Sequence, residues 1–254
     1  MGTGLASEEF WEDTYLAGVT LPARPNPSFQ FERVLADVLQ RHARVDAGQS
    51  VIEIGCAPAT WLGFYAERFG ARVTGIEYTA LGAELSRRNL AALGVDGEIV
   101  EDDFFAVAPS PHDLVLSLGF IEHFSDLEGT FAHHAAFVAP GGLLVVGVPN
   151  YRGLMGLLQR LGDPAHLAMH NTAAMDPALW RRLGAAHGLD VEWQGYLDGP
   201  DPDIIAVLPG RRWLFAILAL LDVLRRVRLG PRLNAAKLSA YLLVVLRRPP
   251  ASGH

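Results

Sequence analysis

A run of small residues directly after an apolar segment is the first feature of this 254-residue sequence with chemical meaning. The apolar segment "VIEIG" has the composition of a buried strand, and the overlapping run "EIGCAPA" contains Glu53, Gly55, Ala57 and Ala59. Small residues between a strand and a helix let a ligand approach backbone N–H groups and the helix N-terminus. The pattern predicts a ligand-binding turn; the alternative is that small residues only allow the strand and helix to pack closely.

Two acidic residues further along the chain favour the first interpretation. Glu77 ends the next apolar segment, about 20 residues on, where an acidic side chain in this kind of unit hydrogen-bonds the hydroxyls of a ribose. Asp103 ends the third apolar segment. Together with the regular spacing of the segments, these residues predict a cofactor that contains a nucleoside.

Strands and helices must alternate to bring these residues together. Seven apolar segments are typical of strands: 50–55, 71–77, 97–103, 113–119, 141–149, 189–197 and 240–248. Helical patterns lie between them, and one helix is predicted to be capped by Asp176 with Pro177 in its first turn. This alternation predicts an α/β protein with a mostly parallel, seven-stranded sheet covered by helices on both faces.

Composition limits the class of protein. Half of the residues are apolar, which is enough to bury a sizeable core. A single cysteine, Cys56, excludes an intrachain disulfide framework and a multi-thiolate zinc cluster, so a cytoplasmic protein is expected. No basic region followed by an apolar one opens the sequence, so no signal peptide is predicted.

Charge is distributed unevenly along the chain. Before Ile204 there are 12 basic and 27 acidic residues, and from Ile204 onward there are 9 basic residues and 1 acidic residue, for a total net charge of −7. An acidic body cannot neutralise a phosphate backbone. No nucleic acid partner is therefore expected.

The motif, the strand pattern and the acidic residues resemble those of class I S-adenosylmethionine-dependent methyltransferases, clearly over residues 50–150 and more loosely over 170–248. In "EIGCAPA", Gly55 is kept, and alanine replaces the second and third small-residue positions of the family motif. The resemblance implies a Rossmann-like sheet whose last strand is antiparallel, S-adenosylmethionine as cofactor and S-adenosylhomocysteine as product. It implies a set of cofactor-binding residues: Glu53, Gly55, Ala57, Ala59, Glu77 at the ribose, Tyr78, Asp103 and Phe104 at the adenine, and Ser117, Leu118 and Gly119 beside the methionine moiety.

A nicotinamide-dependent oxidoreductase shares the strand, the turn and the acidic residue, and is one alternative. Its G-x-G-x-x-G spacing requires glycine at the positions of Ala57 and Thr60. Its short-chain branch also requires a Tyr-x-x-x-Lys pair, but Leu233 stands four residues before Lys237, the one lysine of the sequence. The short-chain branch is therefore excluded and the broader class is disfavoured.

Two histidines are candidate catalytic residues. His123 lies in "GFIEHFSD", which resembles the "EH" turn of quinone-biosynthesis and related small-molecule methyltransferases, and His170 lies in a later insertion. An imidazole near the transferring methyl can accept the proton of a hydroxyl; packing or helix capping is the alternative role for His123. His166 and His170 could share a helix face, but no third ligand is evident, so no metal is predicted.

Three other residues of reactive type are assigned structural roles. His133 and His134 are expected on the solvent face of a helix that covers the sheet. Cys56 is expected to be a small packing residue in the turn.

Residues 1–45 are predicted to form an N-terminal helical lid and linker, before a methyltransferase domain over 46–254. Trp11 and Tyr15 in "FWEDTY" are the candidate lid residues. The alternative is that these aromatic side chains anchor a terminal helix to the core.

Insertions at 150–175 and 198–239 are expected to form a cap over the acceptor, because loops at the carboxyl edge of such a sheet carry ligand sites. Phe120 and Tyr151 are the further candidates for contact with the acceptor.

The basic, apolar segment 211–229 has three possible roles. Its apolar stretch from Trp213 to Leu221 is far shorter than the roughly 20 residues of a membrane-spanning helix. A helical projection gathers the charged residues on one side: Arg211, Asp222, Arg225 and Arg226. The broad apolar face left over, with Trp213 and Phe215, could pack on the sheet, close the acceptor pocket or make a peripheral contact with an anionic membrane.

The expected function is methyl transfer to a small-molecule or lipid-like acceptor, with oxygen favoured over nitrogen or carbon. Enzymes that methylate amino groups of nucleic acid bases carry an Asn/Asp-Pro-Pro-aromatic motif after the fourth strand, where this sequence reads "LGFIEH". A catalytically inactive, cofactor-binding partner protein is the alternative from a different class.

Overall fold

A computed structural model describes residues 4–16, 19–197, 199–201, 205–211, 213–224 and 236–251. Its centre is a seven-stranded sheet with strand order β3-β2-β1-β4-β5-β7-β6. The strands are β1 (Ser50–Ile54), β2 (Arg72–Glu77), β3 (Gly97–Glu101), β4 (His112–Leu118), β5 (Val138–Pro149), β6 (Asp190–Leu197) and β7 (Tyr241–Arg247).

The strand directions confirm the predicted fold class. The pairs β1–β2, β1–β4, β2–β3 and β4–β5 are parallel, whereas β7 is antiparallel to both of its neighbours, β5 and β6. The order reverses between β1 and β4, so a crevice opens at the carboxyl ends of these two strands.

Two strand ends differ from the prediction by two or more residues. β3 ends at Glu101, so Asp103 lies in the turn after the strand. β5 begins at Val138, because Pro140 and Gly141 are accommodated where the β4–β5 register shifts, with Gly141 at φ +81°. The sequence pattern indicated a turn there, but the strand continues through it.

Helices cover both faces of the sheet. Those in the first half of the chain are α1 (Glu8–Leu16), α2 (Gln30–His42), α3 (Thr60–Phe69), α4 (Ala80–Leu93) and α5 (Leu127–Ala136). Those in the second half are α6 (Leu154–Gly162), α7 (Pro164–Ala168), α8 (Pro177–Ala186) and α9 (Leu214–Leu224). The predicted cap of α8 is confirmed, since the Asp176 side chain accepts the N–H of Ala178 and Pro177 occupies the first turn.

The core forms two layers, one on each side of the sheet. One layer contains Leu35 and Leu39 of α2 and Tyr65 of α3, all buried against the sheet. The other contains Phe131 of α5 and Trp180 of α8, and the Trp180 indole N–H donates to the carbonyl of Ala174 at 2.8 Å. Burying apolar area on both faces holds the sheet rigid, so the ends of β1, β2 and β4 form a fixed edge for the crevice.

The two insertions contribute further helices, and part of the second packs against the core. Residues 150–175 contain α6, α7 and a 3-10 turn over Thr172–Met175. Within 198–239, α9 buries Leu214, Leu218 and Leu221 against the core, while Arg225, Arg226 and the rest of 225–235 lie outside the described residues. Among the described helices, none has the length and apolarity to cross a membrane.

Candidate functional site

The turn between β1 and α3 packs against an aromatic ring. Gly55 has φ +71°, and a Cβ built on it would lie 2.6 Å from Cδ2 of Phe120. Glycine is therefore required here for two reasons, its backbone conformation and the closeness of the Phe120 ring. The N–H groups of Gly55 and Cys56 donate to the carbonyl of Ile76 in β2, so these two amides support the sheet and do not face a ligand, contrary to the sequence argument.

The third small position of the turn starts the helix. Ala59 has φ +65°, a left-handed conformation that non-glycine residues rarely adopt, and it is fully buried as the N-cap of α3. Glu53, the first residue of the motif, is also buried, and burial raises the pKa of its carboxyl to about 8. Cys56 is buried and reduced, with burial raising the pKa of its thiol, which agrees with the predicted packing role.

Glu77 ends β2 with a buried carboxylate. Its side chain is 3% exposed, and Oε1 accepts hydrogen bonds from the Thr79 N–H at 2.9 Å and the Thr79 hydroxyl at 2.8 Å. Thr79 Oγ1 in turn accepts the N–H of Gly82 and caps α4. This short chain of hydrogen bonds fixes the carboxylate at the carboxyl edge of the sheet.

Two adjoining cavities lie along this edge, with volumes of about 240 and 310 Å³. They share Trp11, Gly55, Tyr78 and Phe120 as walls. Other predicted site residues line the first cavity, namely Asp103, Phe104 and His123, or the second, namely Ala57, Glu77, Leu118 and Gly119. The structure thus brings together most of the predicted residues around one crevice.

Tyr78 lines both cavities and is 40% exposed. Burial, and then the neighbouring Glu77 carboxylate, raises the pKa of this phenol to about 12, so the side chain is neutral at pH 7. Phe104 also lines the first cavity and is buried against the rings of His133 and His134 at centroid distances of 4.5 Å. Aromatic side chains of this kind suit contact with a planar ring.

Ser117 and His134 form a structural pair, and the expectation that His134 lies on the surface is wrong. His134 is fully buried, with Nδ1 donating to the Thr130 carbonyl at 2.7 Å and Nε2 accepting from the Ser117 hydroxyl at 3.0 Å. Burial lowers the pKa of His134 to about 4. Ser117 therefore points into the layer between β4 and α5, and it does not line either cavity; His133 is half-buried, with Nε2 at 3.0 Å from the Phe104 carbonyl.

His123 lines the first cavity on the 3-10 turn after β4. Its Nδ1 lies 2.9 Å from the carbonyl of Met169, so Nδ1 carries the proton and Nε2 carries the lone pair. Burial lowers the pKa of His123 to about 4, which keeps the ring neutral near pH 7. The edge of the Trp11 ring meets it at a centroid distance of 4.9 Å.

A buried polar cluster lies beyond His123. The ring of His170 is 4.6 Å from that of His123, and the ring of Tyr151 is 5.0 Å from that of His170. Glu122 places Oε1 3.9 Å from Nε2 of His123 and is 1% exposed. Burial raises the pKa of Glu122 to about 8 and lowers that of His170 to about 3.

The N-terminal segment closes the same side of the crevice. Gly4 forms an antiparallel bridge with Phe124, and the Leu5 N–H donates to the His123 carbonyl at 2.6 Å. This contact places Trp11 of α1 in the walls of both cavities. Tyr15 belongs to α1, but its side chain lies outside the described residues.

Several solved structures share this fold, including one described as a [4+2]-cyclase and one from a complex that contains a methyltransferase. One chain of the complex between the Haloferax volcanii Trm112 methyltransferase activator and a methyltransferase matches with a TM-score of 0.61, covering 98% of this chain and 99% of its own length. The identity is 16%, so this match shows a common fold.

The sequence identifies the family. Residues 28–193 match the family model described as a methyltransferase domain, and the chain belongs to this family. The predicted membership of the class I S-adenosylmethionine-dependent methyltransferases is thereby confirmed.

Two curated relatives are similar over part of their length. The trans-aconitate 2-methyltransferase of Paracidovorax citrulli is 32% identical over 158 residues, which is 60% of this chain and 55% of the relative. The ubiquinone biosynthesis O-methyltransferase of Methylocella silvestris is 29% identical over 133 residues, which is 46% of this chain and 50% of the relative. The chain thus spans about half the length of the curated relatives it matches.

Sequence reasoning missed Glu122 and the buried role of His134. A charged residue just after a strand is usually exposed, so Glu122 gave no signal of its own, although it precedes His123 in the "EH" turn. His134 follows Thr130 by four positions in the predicted helix. This spacing allows the imidazole to donate a hydrogen bond to the Thr130 carbonyl, and it was the available sign of a buried, structural histidine.

Proposed function

We propose that this protein transfers a methyl group from S-adenosylmethionine to the oxygen of a small-molecule or lipid-like acceptor bound beside His123, in the crevice that the two cavities form together. The observation that carries the proposal is the crevice at the ends of β1, β2 and β4. The residues expected to bind the family's cofactor and a neutral histidine line the same two adjoining cavities there. The cofactor supplies an electrophilic methyl group on a sulfonium, and the protein must hold the acceptor oxygen in line with it.

The residues of the crevice fit this cofactor. The buried Glu77 carboxylate stands ready to accept hydrogen bonds from the ribose hydroxyls, and the exposed Asp103 carboxylate can accept one from the adenine amino group. Tyr78 and Phe104 offer aromatic surfaces for the adenine ring. Gly119, at φ +74° after β4, gives the methionine moiety close access to the backbone.

Acceptor activation is assigned to His123. Its Nε2 lone pair can take the proton of an acceptor hydroxyl while an oxygen lone pair forms the new O–C bond and the S–C electrons return to sulfur. His170 and Tyr151 lie behind it as positioning residues. Methyl transfer by the trans-aconitate and ubiquinone-pathway relatives supports a small-molecule acceptor, and the O-methyltransferase relative supports oxygen.

Two covers are proposed for the reaction. The segment 1–45, through Trp11 and α1, acts as a lid on the domain formed by 46–254, because Trp11 contributes to the walls of both cavities. The insertions 150–175 and 198–239 form the acceptor cap, since the first of them carries Tyr151 and His170. Covers of this kind exclude water from a reacting cation.

The decisive experiment measures turnover and cofactor binding separately. The purified protein is given S-adenosylmethionine with a panel of phenols, quinols, carboxylates and lipid extracts, and S-adenosylhomocysteine is quantified. His123→Ala is expected to lower turnover by about 10²- to 10⁴-fold while calorimetric binding of S-adenosylhomocysteine is retained. His112→Gln, remote from the crevice, is the matched control.

Binding of the cofactor without product from any acceptor, together with no effect of His123→Ala, would favour an inactive partner protein. Tight binding of NADH in place of S-adenosylhomocysteine would overturn the cofactor assignment.

An exposed apolar surface supports a peripheral membrane contact as the route to a lipid-like acceptor. Helix α9 buries one side and exposes Phe215, Leu220 and Val223, with Phe215 50% and Leu220 60% exposed. Trp213, which precedes the helix, is 58% exposed, and Leu157 of α6 is exposed as well. The helix packs on the core through Leu214, Leu218 and Leu221, as one of the three alternatives expected, while Trp213 and Phe215 are largely exposed to solvent.

Charge at this apolar surface favours an anionic bilayer as its occupant. Arg211 lies at its edge, held by the Leu161 carbonyl at 2.6 Å, and the sequence around α9 is basic. The test is co-sedimentation with phosphatidylglycerol and phosphatidylcholine vesicles. The double variant Phe215→Ser with Leu220→Ser is expected to lose binding to the anionic vesicles, whereas Phe29→Ser, at a comparably exposed phenylalanine elsewhere, is expected to retain it.

No sedimentation with phosphatidylglycerol vesicles, or equal sedimentation of both variants, would remove the membrane contact from the proposal.

A further inference from the structure

The cluster of Glu122, His123 and His170 has the composition of a metal site. A carboxylate oxygen and one nitrogen from each imidazole all lie within 4.8 Å of one another, and all three residues are buried. The distances between ligand atoms in a zinc site with bonds of about 2.0–2.2 Å are somewhat shorter, so small side-chain rotations would complete it.

The orientation of both imidazoles is set from behind. His123 Nδ1 donates to the Met169 carbonyl at 2.9 Å, and His170 Nδ1 donates to the His166 carbonyl at 2.8 Å. A backbone carbonyl on one ring nitrogen fixes the tautomer and leaves the other nitrogen as a metal ligand, as in most protein metal sites. Both Nε2 atoms therefore carry lone pairs.

Glu122 adds an observation that is independent of the histidines. Its Oε2 is buried and has no hydrogen-bond partner among the described residues. A buried carboxylate oxygen without a partner is costly, and a cation beside it would compensate that cost. The histidine pair considered from the sequence was His166 and His170. His166 places Nε2 3.4 Å from the Tyr151 hydroxyl, and it is Glu122 and His123 whose ligand atoms group with those of His170.

We propose that Glu122, His123 and His170 bind one divalent transition-metal ion, with zinc favoured by this donor set. Two imidazoles and one carboxylate are ligands for Zn²⁺ and related ions, and three protein ligands leave a coordination position open. Because His123 lines the first cavity, that position lies on the acceptor side.

The role of the cation rests on the proposed function. An acceptor hydroxyl in the open position would give its proton to solvent water before the proposed covers close, since a bound cation lowers the pKa of a coordinated oxygen. The resulting oxygen anion keeps one lone pair on the metal and uses another to form the O–C bond, while the S–C bond breaks toward sulfur. His123 is then a ligand, and the direct proton transfer assigned to it above is not needed.

The test is metal binding by the full-length protein without an acceptor. Protein stripped by dialysis against a chelator is titrated with Co²⁺, whose visible absorption reports nitrogen and oxygen ligation, and Zn²⁺ is used to displace it. Wild type and the control His112→Gln are expected to bind one equivalent. Glu122→Gln and His170→Gln are expected to weaken binding by at least about 100-fold, with circular dichroism and S-adenosylhomocysteine binding unchanged.

Absence of Co²⁺ binding by wild type would overturn the site, and so would equal binding by all four proteins, which would indicate adventitious ligands elsewhere. If a variant fails to fold, the titration of wild type with Co²⁺ still shows whether the protein binds one equivalent of metal. Failure of the site and of the proposed function are distinguishable: turnover that persists in stripped protein removes the metal alone, whereas tight metal binding without turnover removes the methyl transfer alone.

Discussion

The two halves of the crevice are built differently. The half beside β1 and β2 relies on local geometry: Gly55 lies in its turn with φ +71°, and Glu77 bonds Thr79 two residues away. The half beyond β4 relies on distant partners, since His123 is held by Met169, 46 positions along the chain. Local geometry leaves a motif in the sequence, whereas distant pairing leaves none. The contacts around Glu77 were therefore predictable, whereas those of His123 and His170 were not, although both histidines were named as candidates.

The largest effect on cofactor binding and stability is expected from substitution of Gly55. Gly55→Ala places a methyl group against Phe120 and forces a left-handed alanine, so loss of S-adenosylhomocysteine binding is expected together with destabilisation. Calorimetry and urea unfolding measure the two effects. Gly48→Ala is the matched control, because Gly48 has φ +82° with no atom near its Cβ position, and it should cost only about 1–2 kcal/mol. Equal behaviour of the two variants would show that the Phe120 contact is unimportant.

A smaller effect is expected at Glu77. Glu77→Gln keeps an oxygen for Thr79 but removes the charge, so S-adenosylhomocysteine should bind about 10- to 100-fold more weakly in calorimetry. Glu67→Gln, at an exposed residue paired with Arg24, should leave the affinity unchanged. An unchanged affinity in Glu77→Gln would remove the ribose contact.

Ser117→Ala separates a structural histidine from a functional one. The substitution leaves buried Nε2 of His134 without its donor, so the free energy of unfolding should fall by about 1–3 kcal/mol in urea denaturation. Cofactor binding should not change, because Ser117 lies outside both cavities, and Ser110→Ala on the surface should change neither quantity. A selective loss of cofactor affinity would instead return Ser117 to the methionine side of the site.

The last expected effect is a pH dependence of stability, contributed by Glu53. Its pKa rises from an ordinary 4.5 to about 8 on folding, so the folded state binds more protons than the unfolded state between these values. Wild type therefore loses stability as pH rises through this window, by up to about 1.4 kcal/mol per pH unit from this group. Glu53→Gln lacks this loss, and its advantage over wild type in urea unfolding should grow from pH 5 to pH 8. Parallel pH profiles of the free energy of unfolding for wild type and Glu53→Gln would refute the raised pKa of Glu53.

The fold was largely contained in local patterns. Apolar segments gave all seven strands, and Asp176 with Pro177 gave a helix start, because both depend on short-range chemistry. The start of β5 was missed because Pro140 and Gly141 favour a turn, and only pairing with β4 overrides that preference.

The site was predicted unevenly for the same reason. The residues around Gly55 and Glu77 follow a spaced motif, and the structure places most of them along one crevice. Glu122 joins His170 only after the insertion folds back over β4, which no spacing rule encodes. The helical projection of the segment around α9 predicted a broad apolar face, but it did not indicate which part of that face the core would cover.

Phe120 has a consequence for how two ligands share the molecule. Its ring is a wall of both cavities and lies against Gly55, so a rotation of this ring would change the shape of both cavities. A ligand that favoured one Phe120 rotamer in its own cavity would thereby alter the neighbouring cavity. Two ligands bound side by side would then be coupled through one side chain, and by linkage each would change the affinity of the other by the same factor.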